Sequence, residues 1–191
     1  MTKIKICGIT NAEDARFCAE AGADFLGFIF VPRSPRYVAP ERVAGMGVRG
    51  TKMVGVFRDE EPSRIREIAA LVGLDYVQLH GSESEDDIAA IGVPVIRAFR
   101  VDDALPDTRT SAEWVMFDSG GGTGRTFDWT LLANVPREKP FFLAGGITPG
   151  NVRSAIETVR PDAIDVASGV ESRPGVKDHD KVRALIEEVR R

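Results

Sequence analysis

The sequence predicts a single (β/α)8 barrel, an α/β fold of eight parallel strands. Apolar segments of strand length alternate with helical patterns along the whole chain. These segments are rich in Val, Ile and Phe without strict alternation, which suits a parallel sheet covered by helices. No linker or low-complexity segment divides the 191 residues, so residues 1–191 are expected to form one domain. A doubly wound open sheet is the alternative.

The predicted elements follow one another in a regular order. Strands are expected at 3–7, 24–30, 52–57, 75–80, 94–99, 113–118, 140–144 and 162–167. Helical patterns cover 12–21, 40–45, 62–72, 84–91, 129–134, 149–159 and 178–190. The interval 100–112 contains Pro106 and several threonines and aspartates, so the fifth helix is predicted to be short or irregular.

Turn and capping residues support these boundaries. A glycine or proline ends a helix, and an aspartate precedes the next strand, at Asp24, Asp75 and Asp162. Asn11, with Asp14 three residues later, is expected to cap the first helix. Thr148 with Pro149 is expected to open the seventh.

Composition limits the classes of partner. The net charge of −4 gives no general reason to bind nucleic acid or an anionic membrane, so any anion site must be local. No stretch approaches the length of a transmembrane span, and residues 1–20 lack a signal-peptide pattern, which predicts a cytoplasmic protein. Oligomeric state is left open, and a homodimer is one alternative.

Cysteine and histidine usage argues against a disulfide scaffold and against a metal site. Cys7 and Cys18 are the two cysteines, and both are expected to be reduced thiols. Cys18 is expected in the core. His80 and His179 lie far apart in sequence, and no close Cys/His cluster exists, so no metal is expected. His179 is expected to be solvated.

Residues with chemical potential gather where the predicted strands end. In (β/α)8 enzymes the active site lies at the carboxyl ends of the strands. The residues at or just past those ends are Cys7, His80, Asp118, Gly145, Gly146, Ser168 and Gly169. The opposite rim carries mainly the aspartate turns, so one face of the barrel is predicted to hold the chemistry.

Cys7 and Asp118 are a candidate pair for proton transfer. Cys7 ends the first strand before Gly8, and Asp118 ends the sixth before a glycine-rich segment, 120–124. A thiolate can act as a base, and a carboxyl whose pKa is raised by burial can donate a proton. The alternatives are a packed, inert thiol for Cys7 and a capping or loop-binding role for Asp118.

Two further features predict anion binding. Gly145-Gly146 follows the seventh strand and Ser168-Gly169 the eighth, and barrels commonly bind phosphate through these two loops with backbone N–H groups. Plain tight turns are the alternative. Arg36 lies in a loop stiffened by Pro32 and Pro35, where a guanidinium can grip a carboxylate or phosphate. A solvated surface arginine is equally compatible with the sequence.

Polar residues are also predicted inside the barrel. His80 is expected to orient a ligand or to support the pocket, with a purely structural histidine as the alternative. Lys5 shares a strand face with Cys7 but lies deeper. A buried lysine needs partners, and Gln78, Arg97 and Asp165 are expected to provide a polar network.

Several motifs, taken in order, resemble those of the phosphoribosylanthranilate isomerase family of tryptophan biosynthesis. They begin with Lys5-Ile6-Cys7-Gly8-Ile9-Thr10, Gly27-Phe28-Ile29-Phe30, Ser34-Pro35-Arg36-Tyr37, Val54-Gly55-Val56-Phe57 and Val77-Gln78-Leu79-His80-Gly81. They continue with 121–129, Leu143-Ala144-Gly145-Gly146-Ile147, Asn151-Val152, 165–171 and Pro174-Gly175. The resemblance spans nearly the whole chain.

That resemblance implies a cofactor-free Amadori rearrangement of a phosphosugar, N-(5-phosphoribosyl)anthranilate. It implies Cys7 as general base, Asp118 as general acid and Arg36 as the group that holds the anthranilate carboxylate. The phosphate would bind at Gly145, Gly146, Ser168 and Gly169. His80, Gly122 and Asp165 would contact the substrate or support the site.

Two other interpretations stay open at this point. Related phosphosugar isomerases of the histidine pathway resemble this fold and reaction, but they use an aspartate where this chain has Cys7. A barrel that binds a phosphorylated metabolite without turnover is the second alternative.

Overall fold

Eight parallel strands close into a barrel in the order β1 to β8, which confirms the predicted fold class. The structure is a computed structural model that describes residues 1–120, 128–132, 135 and 137–191. The strands are β1 Lys3–Cys7, β2 Phe25–Ile29, β3 Lys52–Phe57, β4 Tyr76–Leu79, β5 Val95–Arg100, β6 Trp114–Asp118, β7 Phe141–Leu143 and β8 Ala163–Val166. Gly122 lies outside the described residues.

Helices connect most of the strands on the outside of the barrel. They are α1 Ala12–Ala21, α2 Pro40–Ala44, α3 Pro62–Val72, α4 Glu85–Ile91, α5 Val152–Val159 and α6 His179–Arg190. Short 3₁₀ turns occupy Trp129–Leu132 and Ser168–Val170. Residues 101–113, all of them described, form no helix between β5 and β6, as the proline and the short polar residues of that interval predict.

Side-chain caps account for three of the six helix starts among the described residues, those of α1, α4 and α6. Asn11 Oδ1 accepts a hydrogen bond of 2.8 Å from the backbone N–H of Asp14 at the start of α1, as predicted. The predicted start of α5 at Pro149 is wrong by three residues. Asn151 Oδ1 accepts a bond of 2.8 Å from the N–H of Thr148, and this contact closes a turn over 149–151 before the helix begins.

The repeated aspartates tie neighbouring strands together at the amino end of the barrel. Asp24 Oδ2 accepts a hydrogen bond from the N–H of Ile4, Asp75 Oδ2 from that of Met53, and Asp162 Oδ2 from that of Phe141. The distances are 2.8, 2.8 and 3.0 Å. Each aspartate therefore joins an even-numbered strand to the odd-numbered strand before it.

Apolar side chains form two layers. The layer between strands and helices is the larger, and the layer inside the barrel consists of Phe25, Val54, Ile96, Trp114, Met116, Phe142, Ala144 and Ala163. The expectation that Arg97 points inward is wrong. Ile96 and Ala98 fill the inner face of β5, so strand alternation turns Arg97 outward, where its Nη1 lies 3.8 Å from Glu83 Oε2.

A small hairpin after β8 is absent from the predicted elements. Strands β9 Glu171–Arg173 and β10 Val176–Lys177 pair antiparallel just before α6. They carry Glu171 and Lys177, two charged residues whose side chains are nearly inaccessible to solvent. Among the described residues, no helix is long and apolar enough to cross a membrane.

Candidate active site

A cavity of about 460 Å³ opens at the carboxyl ends of the strands. Of the predicted site residues, it is lined by Cys7, Arg36, His80, Asp118, Gly145, Gly146, Asp165 and Ser168. Neither Gly169 nor Gly122 can be placed in this lining, since Gly169 lies outside it and Gly122 outside the described residues. Strand ends from opposite sides of the barrel therefore meet in one concave site.

Cys7 and Asp118 enter this cavity as the last residues of β1 and β6. Cys7 is 5% exposed and Asp118 6% exposed, so both side chains are largely shielded from bulk water. Burial raises the pKa of the Cys7 thiol, and the charge of Lys5 acts in the opposite direction. The thiol therefore depends on neighbouring cations to reach its anionic form.

Lys5 lies fully buried two residues before Cys7. Its Nζ donates a hydrogen bond of 2.8 Å to Asp165 Oδ1, from the paired position on β8. Although burial acts against the charged form, Asp165 and Cys7 keep the pKa of Lys5 above its usual value. This pair is the part of the predicted polar network that joins the site.

Arg36 is held by an acidic partner that the sequence analysis did not assign. Its Nε and Nη2 donate hydrogen bonds of 2.8–3.1 Å to the two carboxylate oxygens of Glu171. Glu171 also accepts a bond of 2.9 Å from Nζ of Lys177. Despite burial, Arg36 and Lys177 hold the pKa of Glu171 below its usual value.

Lys177 connects this ion network to the first strand. Its Nζ donates a hydrogen bond of 2.6 Å to the carbonyl oxygen of Cys7 and a longer one of 3.4 Å to that of Ala167. Behind it, the N–H of Lys177 binds Asp14, whose other oxygen lies 2.9 Å from His179 Nε2. His179 stacks on Phe17 and keeps 30% of its side chain exposed, so it is half-buried and not fully solvated as expected.

The two glycine loops lie side by side above β7 and β8. Gly145 and Gly146 have φ of +89° and +65°, and a Cβ on Gly145 would collide with Ser119, so the backbone can take this path only with glycine. The N–H groups of Gly145, Gly146, Ser168 and Gly169 donate no hydrogen bond to any described residue. They are available to an anion. Gly169 itself packs against the carbonyl of Ile147.

The remaining polar lining comes from β4 and the residue after it. Gln78 and His80 both line the cavity, as the alternation of that strand predicts. Burial lowers the pKa of His80, which leaves a neutral imidazole at neutral pH. Among the described residues, no group of three or more Cys, His, Asp or Glu could hold a metal ion.

Comparisons with known proteins decide the family. The family described as N-(5'phosphoribosyl)anthranilate (PRA) isomerase matches residues 4–188. This chain belongs to the phosphoribosylanthranilate isomerase family. A relative of that name from Geobacter sulfurreducens is 45% identical over 198 residues, covering 97% of each chain. The chain is thus an isomerase of tryptophan biosynthesis, and the resemblance noted in its motifs is confirmed.

Solved structures of other phosphoribosylanthranilate isomerases superimpose on the same barrel. One shows monomers generated from the dimeric enzyme of Thermotoga maritima, with a TM-score of 0.89 at 40% identity, and the match covers 100% of this chain and 99% of that one. Another is a complex with reduced 1-(o-carboxyphenylamino)-1-deoxyribulose 5-phosphate, with a TM-score of 0.88 at 39% identity, covering 100% and 99%. For this member of the phosphoribosylanthranilate isomerase family, a homodimer stays a prediction.

The roles of Glu171 and Lys177 were not predicted from the sequence. Glu171 is part of the 165–171 motif, and Lys177 lies just before the last predicted helix, with no role assigned to it. The available signal was the Pro174-Gly175 turn between two short polar stretches, which is typical of a hairpin. In this phosphoribosylanthranilate isomerase, the hairpin brings two buried charges close to the site.

Proposed function

We propose that this chain converts N-(5-phosphoribosyl)anthranilate to 1-(2-carboxyphenylamino)-1-deoxyribulose 5-phosphate, with Cys7 as general base and Asp118 as general acid. The observation that carries the proposal is the shared cavity. A thiol and a carboxyl from two distant strand ends line it, together with an arginine and two glycine loops. One phosphosugar can meet all of these groups.

The first step is ring opening. Protonated Asp118 would give its proton to the furanose ring oxygen, and the bond between that oxygen and C1 would break. The nitrogen lone pair would form the iminium at C1. General acid catalysis of this kind contributes about 10²–10⁴-fold. Because Asp118 is shielded from bulk water, transfer of its proton to the substrate is favoured over exchange with solvent.

The second step is proton removal at C2. The iminium acidifies the C2–H bond, and the Cys7 thiolate would take that proton to leave an enaminol. A cation next to the thiol favours its anionic form and so opposes the effect of burial on Cys7. Loss of the C2 hydroxyl proton and protonation of C1 then give the ketone. Transfer of a proton from Cys7 to Asp118 through solvent restores the enzyme.

Anion binding would orient the substrate for both steps. The N–H groups of the Gly145-Gly146 and Ser168-Gly169 loops, which bond to no described residue, suit a phosphate. Arg36 suits the anthranilate carboxylate, because Glu171 occupies its Nε and Nη2 while its Nη1 bonds to no described residue. His80 and Asp165 also line the cavity and would support or contact the sugar.

The decisive experiment is a direct assay. Purified protein is mixed with freshly made phosphoribosylanthranilate, and the loss of anthranilate-type fluorescence is followed. We expect rapid, enzyme-dependent consumption that needs no added metal. The matched control is the Cys7→Ser/Asp118→Asn double variant, which should bind the substrate without consuming it. Binding without turnover by the unmodified chain would instead favour a non-catalytic barrel.

A further inference from the structure

Lys5 places a charged group in the buried interior of the barrel. Its side chain is 0% exposed on the inner face of β1, and moving an ammonium ion out of water is unfavourable unless its partners compensate for the lost hydration. An apolar residue of similar volume would serve the barrel core at least as well. Lys5 is also missing from the cavity lining. The charge itself calls for an explanation.

The neighbouring strand shows where the charge acts. In the register of β1 and β2, Cys7 lies opposite Gly27. A Cβ placed on Gly27 would lie 2.7 Å from Cys7 Sγ and 3.0 Å from Lys5 Nζ. The sulfur and the ammonium nitrogen therefore converge over the same bare stretch of backbone, and any larger residue at position 27 would push them apart.

We propose that the Lys5 ammonium stabilises the thiolate form of Cys7, with Gly27 leaving the space in which the two groups meet. Lys5 is then a positioning residue that acts through Cys7. The inference rests on the proposed function for its catalytic consequence, because it is as a thiolate that Cys7 can act as the base. The electrostatic relation between the two side chains is independent of that role.

The charges that face Cys7 favour the same conclusion. Lys5 and Asp165 approach from β1 and β8, Arg36 from the loop after β2, and Lys177 with Glu171 from the hairpin. Three cations and two carboxylates leave one positive charge when Cys7 is a thiol, and a thiolate neutralises it. His80 is neutral because burial lowers its pKa. Asp118 lines the same cavity from β6. Lys5 opposes the effect of burial on Cys7 more than any other neighbour does.

Thiol alkylation tests this relation without using the enzymatic reaction. In a Cys18→Ala background, the rate at which iodoacetamide modifies Cys7 is measured at pH 8 and mapped by mass spectrometry. Cys18 is fully buried, and burial raises its pKa to about 12, so its removal simplifies the measurement without touching the site. We expect Lys5→Met to slow alkylation by about tenfold or more, which corresponds to one pKa unit.

Two further variants make the result specific. Lys3→Met is the matched control, since Lys3 lies on the same strand and face but at the amino end, over Phe25 and Trp114, and its alkylation rate should not change. The double variant Lys5→Met/Asp165→Asn removes both members of the ion pair, so no unpaired carboxylate is left. It tests the inference if the single Lys5→Met variant does not fold. It should also react more slowly than the parent.

The outcomes separate this inference from the proposed function. A folded Lys5 variant that alkylates as fast as the parent overturns the inference, even if its kcat falls. Slower alkylation with unchanged kcat upholds the inference and removes Cys7 from the role of base. Slower alkylation with a lower kcat and little change in KM supports both.

Discussion

Nζ of Lys177 lies 2.6 Å from the carbonyl oxygen of Cys7, a residue 170 positions earlier in the chain. The same Nζ binds Glu171, and Glu171 holds Arg36 through both carboxylate oxygens. The hairpin that carries Lys177 and Glu171 thus fixes both the end of β1 and the guanidinium above the cavity. Five predictions test the network, the site and the framework of the barrel.

Lys177→Met should affect both stability and turnover. It removes the hydrogen bond to Cys7 and one of the two cations that face Glu171. Breaking a buried ion pair costs about 3–5 kcal/mol, and a small misplacement of a reacting group can cost about 10²-fold in rate. Urea unfolding and steady-state kinetics measure the two effects. Arg64→Met is the control, because its exposed ion pair with Glu67 on α3 should contribute less than about 1 kcal/mol.

Glu171→Gln should show a loss of stability that depends on pH. Because the folded-state pKa of Glu171 is lowered, its stabilising effect is complete above the unfolded pKa, about 4.3, and is lost as pH falls through the folded value. Unfolding measured at pH 7 and pH 3 should show a large difference from the parent at pH 7 and a smaller one at pH 3. An equal difference at both pH values would contradict the charge network.

Cys7→Ser and Asp118→Asn should each lower kcat by at least about 100-fold while the substrate still binds. The reason is that each change removes one proton-transfer group and keeps the approximate shape of the side chain. Cys18→Ala, which alters a core thiol outside the cavity, should retain most of the activity. Full activity in either site variant would discard the proton role assigned to that residue.

Arg36→Met should mainly raise KM. A hydrogen bond between charged partners contributes about 1.5–3 kcal/mol, so an increase of about tenfold or more is expected if Arg36 holds the substrate carboxylate. Steady-state kinetics over a wide substrate range provide the measurement. Arg42→Met removes an exposed arginine of α2 and should leave KM unchanged. An unaltered KM in folded Arg36→Met protein would remove Arg36 from the carboxylate site.

Asp162→Ala should destabilise the fold without changing KM. The change leaves the backbone N–H of Phe141 without its acceptor at the end of the barrel remote from the cavity. An orphaned polar group of this kind costs about 1–3 kcal/mol. Thermal or urea unfolding measures the loss. Asp86→Ala, at an exposed position of α4, should stay within about 0.5 kcal/mol of the parent.

Much of the framework could be predicted because its signals are local. Strand hydrophobicity, the aspartate turns and the Asn11 cap each depend on residues close together in sequence, and the boundaries of the eight barrel strands differ from prediction by at most one residue. The position of the site could also be predicted from local signals, because parallel strands place their carboxyl ends at one edge of the barrel. Cys7 and Asp118 could therefore be expected in one cavity, and they both line it.

The parts that could not be predicted depend on contacts between distant segments. Strands of three and two residues carry too little periodicity to reveal the hairpin, and the pairing of Glu171 with Arg36 spans 135 positions. The direction of Arg97 depended on which face of a short strand turned inward. A charged residue next to an apolar one gives no local signal for that choice.

The aspartate links divide the barrel into four strand pairs, and one of these pairs, β5 with β6, is built differently from the other three. Three strand pairs are clamped by a carboxylate that binds the backbone of its partner strand, whereas at β5 and β6 Glu113 instead accepts from the hydroxyl of Tyr76. That pair is also the one whose described connection, residues 101–113, forms no helix. An engineer who wishes to graft a loop or a whole helix into this scaffold should start there, where the least of the original architecture is disturbed.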